Sequence, residues 1–170
     1  MSELHNIRAA EIVKRILYIT IASVSVDGKP WNTPVYSAFD DDLNFYWASD
    51  KNSQHSQNVR TNQDIFLVVY DSTVPEGTGE GVYLQAKAQE LTNEYEALAA
   101  LRVLDERVGK AKERNFSNYS GDAVLRVYKA TPQSIWMNDD DKDENGNYIR
   151  DIRVEAPLTS LREQLGKLMV

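Results

Sequence analysis

Residues 29–59, KPWNTPVYSAFDDDLNFYWASDKNSQHSQNV, decide how the chain is to be read. Trp31, Thr33, Val35, Ser37 and Phe39 alternate with Asn32, Pro34, Tyr36 and Ala38. Leu43, Phe45 and Trp47 alternate in turn with Asn44, Tyr46 and Ala48, and Asp40, Asp41 and Asp42 lie between the two runs. Period-two alternation around turn-forming residues predicts strand, turn, strand. Pro34 has no amide hydrogen to give to a ladder, which places its strand away from a fully paired centre. A backbone that leaves its partner in mid-strand can offer unpaired amides and carbonyls to a ligand. The run after the second strand, from Ser49 through Ser53, Gln54 and His55 to Asn58, is rich in hydroxyls and amides. A helix starting there would present free backbone amides suited to an anion.

Upstream, residues 6–16 predict a helix with Ile7, Ala10, Ile12 and Ile16 on one side. The strand LYITIASVSV follows, with Ile19 and Ile21 on one face and Val24 and Val26 on the other. That register predicts either burial on both faces or a bulge near Ala22. Asp27-Gly28 predicts a two-residue hairpin turn.

Downstream, DIFLVVYD (64–71) predicts a central strand buried on both faces. The glycines of VPEGTGEG (74–81) lack the Lys-Ser/Thr of a phosphate loop. Residues 81–91 predict a half-buried strand, with Val82, Leu84, Ala86 and Ala88 on one face. Asn93 with Glu96 predicts a helix start, and Ala97, Leu98, Leu101, Leu104 and Val108 form its apolar stripe. AVLRVYKATP and QSIWMND predict two strands parted at Pro132, NYIRDIRVEAP a further strand, and residues 159–170 a terminal helix. DKDENG (141–146) matches the first half of a calcium loop, but Ile152 stands where a bidentate glutamate is needed. An Asn145-Gly146 hairpin turn is the expected structure.

A chain of 170 residues with 42% hydrophobic and 26% charged content predicts one domain spanning residues 1–170. Zero cysteines exclude disulfides, thiolate metal sites and cysteine nucleophiles. Two histidines are too few for a typical histidine zinc site, and no metal ligand is assigned. The formal charge of −7 argues against a nucleic-acid partner and makes any phosphate ligand depend on a local set of donors. No apolar run approaches a membrane span and no export signal is seen, so the expectation is a cytoplasmic protein without a membrane partner.

The ordered set GKPWNTPVY (28–36), FYWAS (45–49) and Ser53-Gln54-His55 resembles the FMN-binding split-barrel family. That family includes pyridoxamine 5'-phosphate oxidase and small general-stress flavoproteins. Ser53-Gln54-His55 stands in the place of its Ser-x-Lys or Ser-Arg-Lys. The resemblance covers roughly residues 10 to 158 by element order. It implies a mainly β, α+β fold, an antiparallel split β-barrel with peripheral helices, that binds FMN as a homodimer. By the same resemblance the backbone of Asn32, Thr33, Pro34, Val35 and Tyr36 borders the isoalloxazine, and Trp47, Ala48 and Ser49 continue that wall. Ser53, Gln54 and His55 hold the phosphate, with Lys51 and Lys87 nearby, and Trp136 approaches the flavin, often across the dimer interface. The implied activity is an oxidoreductase of flavin-reductase type on a small substrate and an electron donor that the sequence does not identify. No side chain is assigned a catalytic role.

The chain also departs from the classical oxidase. Gln54 and His55 replace its two basic phosphate ligands, Asn32 and Thr33 occupy the place of an arginine, and no histidine follows His55. Oxidation of pyridoxamine phosphate is therefore not expected. The alternatives are a split barrel that binds deazaflavin or haem, and a non-catalytic flavin-storing or interaction module.

Overall fold

The computed structural model describes residues 3–109 and 112–168. Its elements run α1 (Glu3–Arg15), β1 (Tyr18–Val24), β2 (Pro30–Tyr36), β3 (Ala38–Phe39), β4 (Phe45–Asp50) and α2 (Gln54–Thr61). They continue with β5 (Asp64–Tyr70), β6 (Gly81–Glu90), α3 (Glu94–Arg107), β7 (Leu125–Lys142), β8 (Tyr148–Ala156) and α4 (Leu158–Leu168). The last two residues of the expected terminal helix, Met169 and Val170, lie outside the described residues.

All pairings are antiparallel, and the strand order is β2-β1-β5-β6-β7-β4-β3, with β8 also on β7. The two ends of that order, β2 and β3, are joined by Ser37 alone. A sheet whose end strands are consecutive in the chain must curl back on itself. β2 and β4 pack together without a ladder between them among the described residues, and that seam is the split in the barrel. The predicted strand 31–39 is thus cut in two, because Val35 and Tyr36 pair with β1 while Ala38 and Phe39 pair with β4.

Two cores result. Ile19, Ile21, Val35, Phe45, Trp47, Leu67, Leu84, Tyr128, Ile135 and Met137 fill the barrel, while α1 and α4 pack on each other and on it. Outside it, Tyr46 and Val127 meet Ala97, Ala100, Leu101 and Leu104 of α3, the covering helix expected from its stripe. Asn93 caps α3 by accepting from the amides of Tyr95 (2.9 Å) and Glu96 (3.2 Å). Arg107, in the last turn of α3, donates to the carbonyls of Val13 and Ile16, both at 3.0 Å. A guanidinium there also complements the negative end of α1.

Four expectations change. The β1 register runs without a bulge, and Val24 and Val26 are 39% and 91% exposed, so one face only is buried. In β5, Ile65, Leu67 and Val69 are buried, but Phe66 and Val68 are half-buried and Tyr70 is exposed. The Asp27-Gly28 turn is a three-residue loop closed by the Ser25 amide on the Lys29 carbonyl, with Gly28 at φ 80°. Finally, β7 is one strand of 18 residues. Ala86 opposes Pro132 and Gln85 opposes Ser134, which leaves Gln133 as an extra, bulged residue. The bulge accommodates Pro132 and changes which residues point inward: Tyr128 and Ala130 before it, Ile135 and Met137 after it. Before the bulge the free edge of β7 takes β4, and after it β8. The β7–β8 connection is the expected hairpin turn, with the Asp143 amide on the Asn147 carbonyl and Gly146 at φ 83°.

Candidate functional site

The edge position of β2 follows from Pro34, whose missing amide hydrogen costs nothing where no neighbouring strand waits. Side chains alternate along it. Asn32 and Pro34 are exposed and Tyr36 is half-buried, whereas Val35 turns into the barrel. The Thr33 hydroxyl accepts from Trp31 Nε1 at 2.7 Å. Across the split, Phe45, Tyr46 and Trp47 are buried, Ala48 is exposed and Ser49 is half-buried. The Trp47 ring lies inside the barrel, stacked on Tyr128 at 5.4 Å and 13°. A stacked pair of this kind adds about 0.5–1.5 kcal/mol beyond burial of its area. Of Trp47, Ala48 and Ser49, only Ala48 is exposed, and Trp47 offers a ligand only its backbone.

The chain then turns into α2 through Ser53, the N-cap. Its hydroxyl makes no capping bond to a backbone amide. It donates to Ser56 Oγ (2.9 Å) and lies 3.2 Å from His55 Nε2. Gln57 is the first residue whose amide returns to the Ser53 carbonyl. Among the described residues no side chain caps the amides of the first turn, the donors an anion would use. Gln54 Nε2 is directed along the helix to Asn58 Oδ1 at 2.8 Å. Asn58 in turn donates to the buried Ser23 hydroxyl at 2.9 Å and fixes α2 against β1.

His55 is only 6% exposed, and burial pushes its pKa below the ordinary imidazole value. The structure therefore provides a neutral ring behind Ser53 rather than a standing cation in the place of a lysine. Lys51 Nζ donates to the Asp122 carbonyl at 3.2 Å.

Lys87 and Trp136 lie elsewhere. Lys87 pairs with Asp64 at 2.6 Å, and Trp136 stacks on Phe66 at 6.3 Å and 20°. Arg153 sits over the neighbouring Tyr83 ring at 4.1 Å. These side chains share the outer face of β5, β6, β7 and β8, and β1 and β5 separate β6 from β2. The chain thus brings β2, β4 and the α2 start together as one group and leaves Lys87 and Trp136 as a second.

The sequence reading missed the contribution of α3. Tyr36 and Ala48 line a cavity of about 230 Å³ with Leu101, Leu104, Asp105 and Val108. Asp105 Oδ2 accepts from Arg114 Nε at 2.9 Å, and that guanidinium holds the carboxyl below its usual range. The Tyr36 hydroxyl is buried without a hydrogen-bond partner among the described residues, and desolvation raises its pKa. Val108 ends the apolar stripe of α3 and is nevertheless 46% exposed.

The family profile for pyridoxamine 5'-phosphate oxidase matches residues 7–139. No curated protein matches the chain. Among solved structures, a haem-binding protein from Mycobacterium smegmatis aligns over 96% of this chain and 61% of its own, with 14% identity and a TM-score of 0.66. This chain therefore spans under two thirds of that protein. An FAD-binding protein from Mesorhizobium loti aligns over 81% and 94%, with 16% identity and a TM-score of 0.57. An F420 reductase aligns over 74% and 93%, with 17% identity and a TM-score of 0.54. At these identities the likeness establishes the fold alone.

Proposed function

This chain belongs to the pyridoxamine 5'-phosphate oxidase family, a flavin-binding family of split-barrel fold, and on that premise we propose that it is an FMN-dependent oxidoreductase acting as a homodimer. The observation that carries the reading is the start of α2. Among the described residues no side chain caps its first-turn amides, and the Ser53 hydroxyl makes no capping bond, beside the free edge of β2 and the exposed Ala48. These groups suit a flavin mononucleotide: amides and a hydroxyl for the phosphate, a flat strand backbone for the ring. FMN supplies the hydride chemistry, and the chain supplies position and electrostatics.

A second copy has a defined role. The half-buried aromatic face of Phe66, Tyr83 and Trp136 needs a cover, and a partner's Trp136 face would close the split that one chain leaves open. Pyridoxamine phosphate is a poor substrate on this reading, because Asn32 and Thr33 stand in the place of an arginine and no histidine follows His55.

The test is titration with FMN and with riboflavin, followed by the spectrum of the complex and its reduction by NADH or NADPH. FMN is expected to bind well below the tens-of-micromolar range, with Ser53→Ala weakening it by about 1.5–3 kcal/mol and barely affecting riboflavin. Absence of FMN binding overturns the reading, and a haem or deazaflavin spectrum of the co-purified ligand replaces it. Formation of pyridoxal phosphate at an enzymatic rate overturns the substrate statement alone.

A further inference from the structure

The cavity under α3 lies at the end of the β2–β4 split, continuous with the proposed flavin wall through Tyr36 and Ala48, so its role as a substrate pocket rests on that reading. Its inner surface is aliphatic, from Leu101, Leu104 and Val108, with the Tyr36 ring opposite. At about 230 Å³ it is below the usual range for drug-sized ligands and above the roughly 150 Å³ that holds a benzene. A one- or two-ring molecule fits, and a nucleotide does not.

Lys112, which also lines the cavity, is exposed to solvent, and the other charges around it are engaged. Asp105 is neutralised by Arg114, which also donates to the Tyr119 hydroxyl, and Arg107 is committed to the carbonyls of Val13 and Ile16. No buried cation is left over to compensate a dianion among the groups that line the inner end. What is left over is the Tyr36 hydroxyl, a buried donor with no acceptor among the described residues. Such a group costs free energy until it gains a partner, and a ligand carrying one acceptor oxygen would provide it.

We propose that this cavity binds a small, planar, uncharged one- or two-ring compound bearing a carbonyl-type acceptor, seated on Leu101, Leu104 and Val108 with its oxygen on the Tyr36 hydroxyl.

The probe is 2-methyl-1,4-naphthoquinone, with 2-methylnaphthalene as the isostere that lacks the acceptor. Binding is measured by calorimetry to the full chain with and without FMN. Val108→Trp fills the cavity from its exposed rim without disturbing the buried turn of α3. The naphthoquinone is expected to bind in both states, and Val108→Trp is expected to weaken it at least tenfold while leaving FMN binding unchanged. Tyr36→Phe should weaken the quinone by two- to tenfold and the hydrocarbon hardly at all. Wild-type affinity in Val108→Trp overturns the site, as does displacement of the probe by FMN. An equal effect of Tyr36→Phe on both ligands overturns the acceptor requirement. Failure of FMN to bind would strike the flavin reading and leave the naphthoquinone result intact, so the two are separable.

Discussion

At the scale of single residues, His55 most changes the meaning of the sequence. By position it stands for a lysine, whereas by environment it is a buried, neutral imidazole. A native pKa below the unfolded value of about 6.5 means that the unfolded chain takes up a proton the folded one resists. Stability is therefore unaffected by His55 above about pH 6.5 and falls as the pH drops through that value. Asp71, held at about 2 by Thr73 and Arg15, is a depressed carboxyl whose contribution is lost only as the pH falls below its ordinary value near 3.8. The His55 window opens at a higher pH than that of Asp71. Urea midpoints at pH 7.5, 6.5 and 5.5 should decline for the wild type and decline less for His55→Gln. Equal slopes would show that His55 is not the titrating group. Nothing local signals this burial, because a histidine among serines and amides reads as a solvated helix start. Its cover comes from the packing of α2 on β1, β2 and β6.

At the scale of elements, local chemistry was legible where it was self-contained. Asn93 caps α3 as its spacing predicts, and Asn93→Ala should cost about 1 kcal/mol in chemical denaturation, with Asn93→Asp close to neutral. The alternation of β6 likewise survives intact. What failed was whatever depended on a distant partner. The run from Trp31 to Phe39 alternates without interruption, so nothing local announces that Ser37 hands the chain from one ladder to another. Likewise Pro132 reads as a break, whereas a bulge at Gln133 absorbs it because β6 continues alongside. That bulge sets the facing of everything after it. Deleting Gln133 removes the extra residue, so that Ser134 follows Pro132 opposite Gln85 and Ile135 and Met137 still face inward opposite Leu84 and Val82. The expected outcome is cooperative unfolding and a near-ultraviolet circular dichroism spectrum like that of Gln133→Ala, and loss of either would show that Pro132 needs the bulge itself. Of the candidate site, the β2–β4–α2 group was readable because it is nearly contiguous. The α3 wall was not, since 50 or more residues separate Ala48 from Leu101 and only the closed barrel brings them together.

At the scale of the whole molecule, the outer face of β5 to β8 is the open question that assembly answers. Phe66, Tyr83 and Trp136 lie in contact there with Arg153 over the aromatic surface. If a second copy covers this face, Trp136→Asp should yield a monomer by light scattering and reduce FMN affinity at the same time, while far-ultraviolet circular dichroism stays unchanged. A dimer that persists in Trp136→Asp places the contact elsewhere. The ladder between β4 and β7 carries a consequence of another kind. Phe45 pairs with Ala130 and Asp50 with Leu125, so one edge of the barrel is made long before its mate. A ribosome adding about 5–20 residues per second holds the nascent chain for several seconds with the aromatic run Phe45-Tyr46-Trp47 synthesised and its seam still missing. During that interval the amphipathic α3, made in between, is the available shield for the outer face, and the barrel mouth waits for the arrival of β7.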